Sequence, residues 1–168
     1  LLEWSRAQTG SLSWKPEFYD ISNIVNETIL LLKENANAKN IRLVSKVPFN
    51  TLIFADINMV KTVLRNFIQN SIKFTNKGGE IKILSSDEDN GKTFVEVKDN
   101  GIGISDDIYK KLFKIDQKII SEGTEKEKGT GLGLILCKEF VERNGGKINI
   151  RSKVNSGTEI SFTLPKSN

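Results

Sequence analysis

Residues 56–105 read DINMVKTVLRNFIQNSIKFTNKGGEIKILSSDEDNGKTFVEVKDNGIGIS, and the order of patterns within them decides the fold. Asp56 has the short acceptor side chain of a helix N-cap, and Val60, Val63, Leu64, Phe67 and Ile68 then recur at helical spacing. Asn76 and the pair Gly78-Gly79 end that helix. Glu80 to Ser85 and Thr93 to Lys98 alternate polar and apolar residues on either side of the polar turn Asp87-Glu88-Asp89-Asn90-Gly91, which predicts a hairpin. Asp99 to Ser105 is a glycine-rich loop. A long helix leading into a hairpin, rather than alternating singly with strands, favours an antiparallel sheet over a doubly wound parallel one.

The flanks repeat the theme. Upstream, Trp14 to Asp20 reads as an edge strand, and Ile21, Ile24, Val25, Thr28, Ile29 and Leu32 mark a core-facing helix to about Ala38. Ile41, Leu43 and Val47 form a period-two strand, and Thr51 to Ala55 another. With Pro48 and Asn50 between them, these two are expected to pair as a hairpin. Downstream come a short helix (Asp106 to Phe113), a charged loop (Ser121 to Lys128), a helix (Leu132 to Arg143), a turn at Gly145-Gly146 and two strands, Lys147 to Ser152 and Thr158 to Leu164. Five or six strands with three longer helices predict an α+β fold, a two-layer α/β sandwich whose mixed, mostly antiparallel sheet carries three helices on one face. Residues 14–168 are expected to form this domain, and 1–13 a helix end plus linker.

Composition narrows the chemistry. The 168 residues contain no histidine, which removes imidazole general bases, imidazole metal ligands and any phosphohistidine formed within the chain. The single cysteine, Cys137, cannot form an internal disulfide, which suits a reducing compartment and predicts a cytoplasmic domain. The opening Leu1 to Arg6 has neither the basic nor the apolar segment of a targeting peptide, and no apolar run approaches the ~20 residues of a membrane span. A net charge of +4 comes from lysines scattered along the chain, so it reads as solvated surface, and no nucleic-acid partner is expected.

Two glycine loops stand out, Asp99-Asn100-Gly101-Ile102-Gly103-Ile104 and Gly129-Thr130-Gly131-Leu132-Gly133-Leu134. The second lacks the lysine and hydroxyl residue that close a P-loop, and it follows a charged loop rather than the strand of a dinucleotide fingerprint. A glycine-rich turn running into a helix nevertheless gathers free N–H groups at the positive end of the helix dipole, where a phosphate is stabilised. Ionised Asp99 accepts hydrogen bonds without donating, which suits the exocyclic amine of adenine; it equally suits a turn-capping aspartate. Asn66, Asn70 and Lys73, at spacings of four and three, form one polar stripe on their helix. An amide oxygen is a hard ligand for Mg²⁺, and a lysine nearby can meet a phosphate; such a stripe is also what the wet side of any helix looks like.

Taken in order, Asn66-Phe67-Ile68-Gln69-Asn70-Ser71-Ile72-Lys73-Phe74-Thr75, Asp99-x-Gly101-x-Gly103, Lys111-Leu112-Phe113 and Gly129-x-Gly131-x-Gly133 resemble the N, G1, F and G2 boxes of sensor histidine kinases. The resemblance runs from Trp14 to Pro165, and Leu2-Glu3-Trp4-Ser5-Arg6-x-Gln8-x-Gly10 is similar to the end of a second dimerisation helix. It implies the Bergerat ATP-binding sandwich of the GHKL superfamily. It makes Asn70 the magnesium ligand, Asp99 the adenine reader and Lys73 a phosphate contact. Gly101 and Gly103 would let the backbone pass close to the nucleotide, beside Phe113. Gly129, Thr130, Gly131, Leu132 and Gly133 would end a lid spanning 116–128 and hold phosphates. Lys114 falls where relatives place a lid arginine and takes a γ-phosphate role.

The resemblance also places Asn66 where the gyrase-type and chaperone ATPases carry a water-activating glutamate. An amide is no base, so transfer of the γ-phosphoryl group to an external histidine is expected rather than rapid hydrolysis. The implied cofactors are ATP and Mg²⁺. The implied partners are a histidine-bearing dimerisation domain of the same protein, a response regulator and a second copy in a homodimer, with a parent that is often membrane-bound. A nucleotide-binding regulatory module and a serine kinase of the same fold are the alternatives.

Overall fold

The computed structural model describes residues 13–88, 90–114, 122–127 and 131–167. The chain enters through β1 (Glu17–Asp20) and α1 (Ile21–Ala38), followed by β2 (Arg42–Lys46) and β3 (Leu52–Ala55). Next come α2 (Ile57–Phe74), the hairpin β4 (Glu80–Glu88) and β5 (Lys92–Asp99), and a single helical turn α3 (Asp106–Tyr109). Helix α4 (Gly133–Arg143) and the strands β6 (Ile148–Lys153) and β7 (Gly157–Pro165) complete the fold. The main sheet has the order β2-β4-β5-β7-β6; only β2 and β4 run parallel, and a separate two-stranded sheet joins β1 to β3. This is the predicted mixed, mostly antiparallel sandwich, with three long helices and one short one among the described residues.

One expected pairing is not found: β2 and β3 are not a hairpin. The turn at Pro48–Asn50 does redirect the chain, and Asn50 takes a positive φ of 61° there. The strand leaving it pairs instead with β1, Glu17 opposite Ala55 and Asp20 opposite Leu52. Asp20 accounts for the choice, because its carboxylate caps α1 at Ser22 N and also accepts from Asn50 N and Thr51 N, at 2.9 to 3.1 Å. That clamp draws the start of β3 to the end of β1. Among the described residues the strands number seven rather than five or six, and the helix expected over 106–113 closes after Tyr109 and continues as turns.

The core lies between one face of the main sheet and the helices. Strand register stacks Ile83, Val97, Ile160 and Ile150 in one row, and Ser85, Val95, Phe162 and Ile148 in the next. Alternation sends Lys82, Lys98, Glu159 and Arg151 to the opposite, solvent face, where they form ion pairs. Helix α2 presents Val60, Val63, Leu64, Phe67 and Ile68, all buried, and packs against both α1 and α4. Phe67 meets Phe162 of β7 edge to face at 5.7 Å.

Buried polar groups fix the ends of these helices. Asp56 caps α2 by accepting from Asn58 N and Met59 N, and it also accepts from Lys15 N at 2.9 Å. Asn144, just past α4, accepts from Asp56 N at 2.8 Å and from the Trp14 indole at 3.1 Å, while its amide donates to Phe140 O. One side chain thus ties the end of α4 to the start of α2 and to Trp14. Among the described residues no helix is long and apolar enough to cross a membrane.

Candidate functional site

Strand alternation places Asp99 on the core face. It follows Val95 and Val97 at period two and stands in a row with Ile81, Thr158 and, beyond them, Ser152. A carboxylate on that face must be satisfied from within. Asp99, 6% exposed, accepts from Gly101 N at 2.9 Å and Thr158 N at 3.1 Å, with the Ser71 hydroxyl of α2 as a further partner. Burial raises its pKa above the ordinary carboxylate value, and the hydrogen bonds from Gly101, Ser71 and Thr158 counteract part of that rise.

The wall beside Asp99 is a cavity of about 950 Å³ between α2, the loop after β5, α4 and the ends of β6 and β7. Ile102, Ile104, Ile108, Leu134, Ile150 and Ile160 supply apolar lining. Asn66, Asn70 and Lys73 of α2 line the same cavity, together with Lys39, Lys77, Gly131 ahead of α4 and Gly133 at its start. An apolar slot with one buried acceptor, joined to a wall carrying lysine ammonium groups, suits a ligand with a flat heterocycle and an anionic tail.

The stripe on α2 carries distinct chemistry at each position. Asn66 donates to Thr62 O at 3.0 Å, and its Oδ1 faces Gly133, where a β-carbon would crowd it. Among the described residues no hydrogen bond holds the Asn70 side chain, which leaves its amide oxygen open to the cavity. Lys73 lies over the Phe74 ring at 4.8 Å, and burial lowers its pKa against the pull of Glu127. Helix α4 begins at Leu132–Gly133 with no side-chain cap, so its first N–H groups are left to a ligand or to water.

The glycines of the first loop have a packing role of their own. A β-carbon on Gly101 would strike the Phe74 carbonyl oxygen, and one on Gly103, at φ +69°, the Lys153 carbonyl. They let the loop close onto the end of α2, where Ile102 N bonds Phe74 O at 3.0 Å, and onto the β6–β7 turn. Gly103 lines the cavity and Gly101 lies behind Asp99.

Besides Gly101, three described residues of the predicted set are not part of the wall. Lys114 is exposed; Phe113 lies under the Lys138 ammonium at 5.6 Å, with its neighbour Leu112 reaching the cavity instead; and Leu132 flanks the wall without lining it. Gly129 and Thr130 lie outside the described residues, as does the lid apart from residues 122–127.

Reasoning from sequence missed Ser71, Thr158, Lys39 and Lys77. Ser71 carries a readable signal, a polar residue four positions after buried Phe67 on the apolar stripe. Lys39 carries none. It is 6% exposed and donates to Ile72 O at 2.8 Å, Lys73 O at 3.2 Å, Thr124 Oγ1 at 2.6 Å and Glu127 Oε1 at 2.9 Å.

The donor set fits magnesium in one way. Among the described residues no three His, Cys, Asp or Glu side chains cluster to hold a metal. A single open amide at Asn70 matches an ion that keeps its waters and binds through substrate phosphates, not one caged by protein.

A family model described as histidine kinase-, DNA gyrase B-, and HSP90-like ATPase matches residues 55–168. The adaptive-response sensory kinase SasA of Prochlorococcus marinus (strain MIT 9215) is 31% identical over 170 residues, covering 98% of this chain and 45% of that kinase. The catalytic domain of histidine kinase ThkA, in a nucleotide-free form, is 30% identical with a TM-score of 0.77, covering 90% of this chain and 96% of that one. Full-length ShkA in complex with AMPPNP gives a TM-score of 0.82 at 25% identity, covering 99% of this chain and 34% of that one. The chain spans less than half the length of the curated relatives it matches. With the sandwich, the cavity and these likenesses in agreement, the chain belongs to the histidine kinase-, DNA gyrase B- and HSP90-like ATPase family and is a histidine-kinase catalytic domain that uses ATP.

Proposed function

We propose that this domain positions ATP for transfer of its γ-phosphoryl group to a histidine carried by another segment of the parent protein. The observation that supports this best is that the α2 stripe, Asn66, Asn70 and Lys73, lines the same cavity as the buried Asp99. In this reading the Asp99 carboxylate accepts from the adenine amine, and the apolar wall of Ile102, Ile104 and Ile150 sandwiches the base. Lys73 and the N–H groups that open α4, from Gly131 to Gly133, meet phosphate oxygens. Gly129 and Thr130 belong to the same turn in sequence. Asn70 ligates magnesium, and the bound ion supplies neutralisation of phosphate charge. The ligand named for ShkA, AMPPNP, is of this class.

Asn66 faces the start of α4 and offers no base to activate water, so the domain contributes position and charge while the nucleophile comes from outside. Residues 14–168 form the catalytic unit; the expected dimerisation-helix end and linker over 1–13 lie outside the described residues apart from Ser13. The hydrogen bonds of Trp14 and Lys15 to Asn144 and Asp56 support a boundary there. The parent is a cytoplasmic or membrane-bound homodimer that passes the phosphoryl group on to a response regulator. Lys114 and Phe113 act only when residues outside the cavity wall close on it.

The test is Asn70→Ala in the full-length parent. Magnesium-dependent labelling of the histidine from γ-labelled ATP is expected to vanish, while the isolated domain keeps its melting temperature within about 2 °C, as a surface change should. Full labelling by the variant would refute the reading.

A further inference from the structure

Residues 122–127 read Glu-Gly-Thr-Glu-Lys-Glu, and their three carboxylates all line the cavity. The segment folds on itself, Gly123 N to Glu127 O at 2.9 Å and Glu125 N to Glu127 Oε2 at 2.8 Å. It docks on the last turn of α2. Thr75 leaves that helix in an extended conformation (φ −97°, ψ 134°), so the final carbonyls need outside donors. Thr124 supplies two, its N–H to Lys73 O at 3.0 Å and its hydroxyl to Thr75 O at 3.0 Å. Lys39 donates to Ile72 O and Lys73 O, while Phe74 O is met by Ile102 N, and the Lys39 ammonium also holds Glu127. A second pair, Lys77 with Glu125 at 3.3 Å, lies beside it. Lys39, Lys73 and Lys77 are the lysines of the cavity wall, and Glu127 is also close enough to Lys73 to act on its charge.

We propose that Glu127 is a built-in anionic plug: seated on Lys39, its carboxylate holds the cationic part of the cavity that a nucleotide polyphosphate needs, and a triphosphate binds only by displacing it. The proposal rests on reading the cavity as a nucleotide site. The exchange keeps Lys39 facing an anion, with the more highly charged triphosphate in place of the single carboxylate. Lys39 is not stranded when Glu127 leaves, because it keeps the Ile72 and Lys73 carbonyls. Gly123 is part of the device, because a β-carbon there would strike the Glu127 carboxylate and the backbone of Lys73. The lid therefore carries its own competitor for the phosphate groups, and occupancy of the site is set by the strength of one partly buried ion pair.

The test is calorimetric titration of the wild-type chain, Glu127→Gln and Gly123→Ala with ATP, ADP and adenosine, each with magnesium. Glu127→Gln keeps the shape and removes the charge; Gly123→Ala keeps the charge and blocks docking. Both are expected to bind ATP about three- to tenfold more tightly, as for loss of one competing ion pair of moderate strength, with a smaller gain for ADP and none for adenosine. Unchanged or weaker ATP binding, or equal gains for all three ligands, would overturn the plug. Absence of binding by the wild-type chain to both ATP and adenosine would instead overturn the nucleotide reading itself, and the plug with it.

Discussion

Asp99 shows how strand alternation carries a single acceptor to the wall of the cavity. Val95, Val97 and Asp99 alternate inward, so the carboxylate arrives at the rim of the core already desolvated and already oriented by Gly101 and Thr158. Replacing it with Asn keeps an oxygen for those two donors and removes the charge. Asp99→Asn is therefore expected to fold, and to lose ATP affinity on the order of thirtyfold, about 2 kcal/mol for a hydrogen bond to a charged acceptor. Its stability has a distinct pH signature. The folded pKa of Asp99 is raised, chiefly by burial, so the unfolded chain ionises first as pH climbs past about 4. Wild-type stability accordingly falls through the interval up to the folded value and stays lower above it. The melting temperature of the variant minus that of the wild type should grow between about pH 3 and pH 7; a difference that shrinks would contradict the assignment. The place of this residue at the head of a glycine loop was legible in the sequence. The roles of Lys39 and Lys77 were not, because a lysine between Ala38 and Asn40 has no local pattern to distinguish it from a solvated one, and its partners lie 33 to 88 positions away.

Among elements, α2 was the most readable, since its apolar face, its Asp56 cap and its polar stripe all follow from spacing within eighteen residues. Strand partners were less so. The turn between β2 and β3 is a local signal, whereas β2 pairing with β4 and β3 with β1 are decided by contacts across α1 and α2. Asp20 carries that decision, with hydrogen bonds spanning 30 residues that no period reveals. The same holds for Asn144. Its amide bridges α4, the N-terminus of α2 and Trp14 while buried, so truncation strands the buried Asp56 N and releases the exposed Trp14 to solvent. Asn144→Ala is expected to cost about 2 to 3 kcal/mol in urea unfolding, with an unchanged m-value. A loss below about 0.5 kcal/mol would mean that the tie is not used.

For the whole molecule, a single layer of helices over one sheet leaves the opposite face free to carry ion pairs and concentrates every unusual group on the helix side. Asp99, the open amide of Asn70, the start of α4 and the lysines meet there in one cavity. The layer order was legible from the run of helices and hairpins. The cavity was legible as a set of residue types, though not in its lysine-rich wall or in the docking of residues 122–127 on α2, both of which depend on distant pairings. The central claim is that this cavity recognises adenine through an acceptor. Paired titrations with ATP and GTP, each with magnesium, test it most directly, because guanine presents a carbonyl where adenine presents an amine. ATP is predicted to bind at least about thirtyfold more tightly than GTP, a preference that Asp99→Asn erases. Equal affinity for the two nucleotides, or no binding of ATP at all, would contradict the account.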